Sequence, residues 1–216
     1  NVKEGVVRIY ADSGEITELE SMGLAPVRVS DDEPWKAPSG YHTHASLGAE
    51  LETFAASYGS ICRLVSLGTS VLGREIWAVL ITDNPEAEED EPEFKYVSTI
   101  HGNEPLGTEL CLLFIRRLLE GHGGDDRVTH LVDETAVWVV PLMNPDGYES
   151  GSRYNADGYD LNRSFPTYGE DFEGSMFTEA LVFPSETPVE VQRVAEWTAD
   201  NSFVLSANFH TGALVV

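Results

Sequence analysis

Lysine is nearly missing from this sequence. Lys3, Lys36 and Lys95 are the only ones, and basic residues total 13 against 37 acidic ones, a formal charge of −24. Such a surface repels nucleic acid and anionic membrane, which argues against both as partners. It would draw cationic substrates, but the acidity is spread over the whole chain. That spread is the pattern of a protein kept soluble in concentrated salt, and this reading is the leading one. Long apolar runs are missing too. None approaches the roughly 20 residues of a membrane span, so no membrane insertion is expected. The opening Asn1-Val-Lys-Glu-Gly5 is polar and carries no signal peptide, as a mature or trimmed secreted chain would also appear. Cysteine is scarce: Cys62 and Cys111 form no CxxC pair and no disulfide framework. Both sit in apolar surroundings and read as buried free thiols.

What remains is enough for a real core. Of 216 residues, 42% are hydrophobic, which suits one domain with a small appendage. Residues 1–40 read as a strand-helix-strand arm and a linker: β-prone Val6–Tyr10 and Val27–Val29, helix-prone Glu15–Met22, and a polar stretch from Ser30 with two prolines. From Tyr41 the pattern changes. Ser46–Tyr58 carries a helical stripe, and Cys62–Leu67 with Ile76–Thr82 form a hairpin. Asp83–Glu93 is an acidic loop. Phe94–Ile100 is a strand, and Pro105–Leu119 has helix spacing with proline in its first turn. Thr135–Leu142 is a nearly all-apolar strand suited to the middle of a sheet. Residues 144–187 read as one long loop region, of a length that is usually functional. Helix-like Val189–Ala199 and strand-like Phe203–Phe209 follow. The alternation predicts an α/β sandwich: a mixed, largely parallel central sheet flanked by helices.

Three strands end in polar motifs: Phe94–Ile100 in His101-Gly-Asn-Glu104, Thr135–Leu142 in Asn144-Pro-Asp-Gly147, and Phe203–Phe209 in His210. Ligands of open α/β sheets bind at the carboxyl ends of strands. If the three strands are parallel neighbours, His101, Glu104 and His210 meet. Two imidazoles and a carboxylate form the three-ligand set of a catalytic zinc. Two arginines in this acidic chain also stand out, Arg153 and Arg163, with Asn162 beside the second. They fit ion pairs with Asp157 or Asp160, or the recognition of an anion, since guanidinium forks match carboxylates and an amide adds a donor.

Taken together, these motifs resemble the zinc metallocarboxypeptidase family, and within it the carboxypeptidase N/E-like branch. The shared pattern runs through Tyr41-His42, Ser66–Glu75, His101–Glu109, Pro141–Glu149, Asp160–Pro166 and Ala207–Val216. The resemblance implies a catalytic domain over 41–216 and one Zn2+ per catalytic domain, held by His101, Glu104 and His210. It implies that Asn162 and Arg163 grip the C-terminal carboxylate of a peptide or protein and that Arg153 stabilises the oxyanion. It further implies a secreted, periplasmic or extracellular location and a preference for C-terminal Lys or Arg. His42, His44, His122 and His130 match no ligand.

One departure stands out. The family's general-base glutamate and its substrate-closing tyrosine lie downstream of the third ligand, and no position up to Val216 matches them. The sequence therefore reads as the larger N-terminal part of a catalytic domain, partnered by a C-terminal remainder of the same domain, and inactive alone. Two alternatives stay open. An aspartoacylase- or succinylglutamate-desuccinylase-like amidohydrolase shares the His-Gly-Asn-Glu start. A non-catalytic binding module would keep the metal site without the base.

Overall fold

Capping chemistry and apolar spacing fix where each element begins and which face it buries. The computed structural model describes residues 13–23, 25, 40–166 and 183–211. The chain divides into two compact units, Asn1–Trp35 with Gly212–Val216, and Lys36–Thr211. The described part of the first holds helix α1 (Ser13–Ser21), close to the helix expected at Glu15–Met22. The strands expected at 6–10 and 27–29, the linker up to residue 39, and residues 167–182 and 212–216 lie outside the described residues.

In the second unit, α2 (His44–Ser57) starts on a capping box. The Thr43 hydroxyl accepts from the Ser46 amide, and the Ser46 side chain reaches back to the Thr43 backbone. The hairpin follows as antiparallel β1 (Cys62–Thr69) and β2 (Glu75–Ile81). Next come β3 (Glu93–Ser98), α3 (Leu106–Gly121), α4 (Asp126–Asp133), β4 (Ala136–Val140), α5 (Pro145–Ser150), α6 (Val189–Ala199) and β5 (Phe203–Phe209). The sheet order is β1-β2-β4-β3-β5. β3 runs parallel to both β4 and β5, while β2 is antiparallel to β4. The expected mixed α/β sandwich is what forms.

All five residues of central β4 are buried. Their two-residue period splits the core between the sheet faces. Val137 and Val139 join Leu47 and Leu51 of α2 and Ile115 and Leu118 of α3 on one side. Trp138 and Val140 join Val191, Val194 and Trp197 of α6 on the other. Both cysteines are buried free thiols, and burial pushes Cys62 to about 11 and Cys111 to about 12.

Two helices were not legible. α4 carries only a short apolar pattern, and its start is set by the Asp125 carboxylate, which accepts from the Arg127 and Val128 amides. α5 falls inside the stretch read as loop. Its proline, aspartate and glycine have poor helix propensity, and it is held by the Asn144 side chain at its start and by burial of Pro145–Tyr148. Strand β3 also stops before the expected Ile100. Thr99 takes a positive φ of 52°, turning the chain out of the sheet towards the motif that follows.

Candidate metal centre and active site

The parallel trio β4, β3 and β5 brings three strand ends together, and the turns after them are locked to one another. The Met143 and Asn144 amides donate to the carbonyls of Ser98 and Thr99. Asn144, fully buried, donates from Nδ2 to the Ile100 carbonyl and accepts the Gly147 amide on Oδ1. Thr99 is a left-handed β-branched residue, an unfavourable conformation. Its hydroxyl is engaged by Thr108 at 2.8 Å and by the Glu104 carbonyl at 3.3 Å. Gly102 allows the closest approach. A Cβ there would lie 2.0 Å from the Gly147 carbonyl carbon, so only glycine lets this loop touch α5.

On this frame His101, Glu104 and His210 converge. Nδ1 of His101 lies 2.8 Å from Glu104 Oε1, and Nδ1 of His210 lies 3.1 Å from Oε2. One ligand atom from each residue falls within 4.8 Å of the others. His101 is 3% exposed, and the Glu104 side chain 12%. Burial works against ionisation of Glu104. The His101 ring beside it, the hydrogen bond from the Thr211 amide and the nearby His210 imidazole outweigh it and hold the carboxyl below the usual range. Two imidazole nitrogens and an ionised carboxylate are a donor set that zinc accepts, so the residues present fit the metal.

The arginine cluster reaches the same place. Arg153 donates from Nε to Asp160 Oδ2 at 3.0 Å, with Nη2 at 2.9 Å from the same oxygen. Its Nη1 lies 3.3 Å from His101 Nδ1 and 3.9 Å from Glu104 Oε1. The ion pair with Asp160 and the placement beside the His-Glu-His group therefore occur together. Asp160 Oδ1 lies 3.1 Å from His101 Nε2 and also accepts the Asn162 amide. Burial opposes its ionisation, but the Arg153 guanidinium and these bonds hold its pKa down. Asn162 and Arg163 follow on a single 3₁₀ turn, Leu161–Arg163, capped by Asp160. Arg163 is exposed, and its Nη1 donates to the Asn162 carbonyl.

The sequence offered Asp160 only as an ion-pair partner for the arginines, and its contact with His101 was missed. The available signal was its place two residues before Asn162, where a turn-capping Asp can also face inward. Three of the other histidines make contacts elsewhere. His42 bridges Glu109 and Glu50, His44 stacks on Trp77, and His122 pairs with Asp133.

The comparisons with known proteins agree with this geometry. A family model described as zinc carboxypeptidase matches residues 47–216. The chain is 41% identical over 243 residues to carboxypeptidase D of Drosophila melanogaster, covering 97% of this chain and 16% of that protein. It is 40% identical over 185 residues to carboxypeptidase M of Mus musculus, covering 81% of this chain and 39% of that protein. The chain thus spans well under half the length of these curated relatives. Among solved structures, the fold is similar to a carboxypeptidase A from Helicoverpa armigera, with a TM-score of 0.65 and 20% identity over 91% of this chain and 53% of that one. Thrombin activatable fibrinolysis inhibitor gives a TM-score of 0.63 at 19% identity, over 82% and 50%. These two show the fold alone. The amidohydrolase alternative finds no support among these relatives. With a family model over most of its length and relatives at about 40% identity, this chain belongs to the zinc carboxypeptidase family.

Proposed function

We propose that this chain supplies the metal and substrate-carboxylate residues of a zinc exopeptidase that removes the C-terminal residue of peptides and proteins. The convergence of His101, Glu104 and His210, with Arg153 beside them, carries this reading. His101 and His210 would bind through Nδ1 and Glu104 through its carboxylate. A bound zinc supplies a Lewis acid for the scissile carbonyl. Asp160 acts on His101: by accepting from Nε2 it fixes the tautomer that leaves the Nδ1 lone pair free for metal. Arg153 offers a guanidinium where negative charge develops on the carbonyl oxygen. Asn162 and Arg163 would hold the substrate's terminal carboxylate with an amide and a fork of N–H donors. Glu104 is committed to the metal and Asp160 to His101 and Arg153, so proton transfer falls to another group.

The proposed partners are peptide and protein C-termini, those ending in Lys or Arg first, and the proposed location is outside the cytoplasm. Both rest on the family resemblance, and the acidic surface agrees with basic termini. Among the described residues, no helix is long and apolar enough to cross a membrane.

The test uses the full-length protein that contains this chain. Peptides ending in free Arg, free Leu and Arg-amide are offered with zinc and with a chelator. Zinc-dependent release from the free-carboxylate peptides, with the amide left intact, is expected. Equal cleavage of the amide would overturn the exopeptidase reading. His101→Ala should abolish stoichiometric zinc binding. Zinc retained at unchanged affinity would remove His101 from the ligand set.

A further inference from the structure

Glu190 is the most deeply buried carboxylate of the described residues and lies outside the site just described. It sits in the first turn of α6 with 0% exposure. Burying a carboxylate is costly unless its oxygens are hydrogen-bonded. Here Oε1 accepts the Val71 amide at 3.3 Å, in the loop joining β1 to β2. Oε2 accepts Nδ2 of Asn155 at 3.0 Å.

Asn155 is 5% exposed and is the hub of the loop from Arg153 to Asp160. Its Oδ1 accepts two loop amides, Asp157 at 3.1 Å and Tyr159 at 2.9 Å. Its own amide donates to the Tyr159 carbonyl, and its carbonyl accepts from Gly158. With Oδ1 committed to two donors, the Asn155 amino group must face residue 190. Position 190 therefore meets two donors, one from Asn155 and one from Val71, and must supply two acceptors. A carboxylate does this. A glutamine offers one acceptor and one donor group, so one of the two contacts becomes donor against donor.

The ends of the loop that Asn155 closes are Arg153 and Asp160. These two bond to each other and both contact His101. We propose that Glu190 is a positioning residue: through Asn155 it fixes the loop that presents Arg153 and Asp160 to His101. A carboxylate on a helix of the far sheet layer thus sets the orientation of a proposed metal ligand. The kinetic part of this inference rests on the peptidase reading; the metal and loop parts do not.

A donor–acceptor exchange tests it in the full-length protein. Glu190→Gln sets amide against amide, and Asn155→Asp sets carboxylate against carboxylate. Combining them restores complementarity. The new amide at 190 can accept from Val71 and donate to the new carboxylate at 155, which still accepts the two loop amides. Three readouts apply: zinc affinity by chelator competition, kcat and KM on the Arg-ending peptide, and amide hydrogen exchange at Asp157 and Tyr159. Glu190→Gln should weaken zinc binding by about 10–100-fold, the range for an altered partner of a metal-ligating histidine. It should also lower kcat more than it raises KM, and speed exchange at both amides. The double variant should recover all three.

A lower melting temperature with zinc affinity, kcat and exchange unchanged would reduce Glu190 to a structural residue and overturn the proposal, as would a double variant no better than the singles. If Glu190→Gln does not fold, Glu190→Asp keeps both acceptors on a shorter arm. It should fold with weaker zinc binding and faster exchange, and wild-type values there would equally overturn the proposal. A protein that binds zinc but cleaves nothing would defeat the peptidase reading, and the affinity and exchange measurements would still decide this one.

Discussion

Lys95 shows how strongly one half-buried charge can be pulled in opposite directions. Its Nζ donates to the Thr198 hydroxyl at 2.7 Å and sits 4.8 Å from the Phe203 ring centre and 5.6 Å from that of Trp197. Ring faces favour the cation. Burial penalises it more and pushes the pKa from 10.5 down to about 8. Between those two values the unfolded chain holds a proton that the folded chain has released, so this group makes stability rise with pH across that window. Below about pH 8 its full penalty is present. Wild type is therefore expected to gain stability relative to Lys95→Met between pH 7 and pH 10.5, measured by urea unfolding of both. A gap that stays constant over that range would show that the ammonium is not penalised in the fold.

Between elements, the decisive features are small. The capping box of α2 ties a helix start to the segment that carries His42, whose ring bridges Glu50 of α2 and Glu109 of α3. Thr43→Ala is expected to cost about 1 kcal/mol in chemical denaturation. A loss near zero would mean that burial of Leu47, Leu51 and Phe54 alone sets the helix. The joint between the His101 loop and α5 is less forgiving. A methyl group at position 102 would meet the Gly147 carbonyl carbon at 2.0 Å and the Tyr148 nitrogen at 2.2 Å, both backbone atoms that no rotamer change can move. Gly102→Ala should cost about 1–3 kcal/mol or more from overpacking, and it should weaken zinc binding because His101 is the neighbouring residue. Unchanged zinc affinity in this variant would show that the loop can lift off α5 without moving the ligand.

For the molecule as a whole, charge dominates. At −24, like-charge repulsion opposes compaction. The Debye length falls from about 10 Å at 0.1 M salt to about 3 Å at 1 M, so added chloride salt removes repulsion between distant carboxylates. The melting temperature is expected to rise between those concentrations. A flat or falling melting temperature would direct attention to the other consequence of the acidity, attraction of basic peptides.

Apolar periodicity and strand-end motifs are local signals, and they encode the sheet-and-helix alternation, the hairpin, and the strand ends at which His101, Glu104 and His210 lie. α6 and β5 formed at the residues their periodicity predicts. Long-range packing set the rest. α5 is helical despite its composition because Pro145–Tyr148 are buried and the Tyr148 hydroxyl donates to the His42 carbonyl. The sheet order, with β3 between β4 and β5, turned three separated motifs into neighbours. Asp160 stood out only as an ion-pair candidate for the arginines, and Glu190 looked like one more acid in an acidic chain. Their importance comes from which donors they face, His101 and Arg153 for one, Asn155 and Val71 for the other. Those partners lie up to 119 residues away in the sequence, too far for any local pattern to encode.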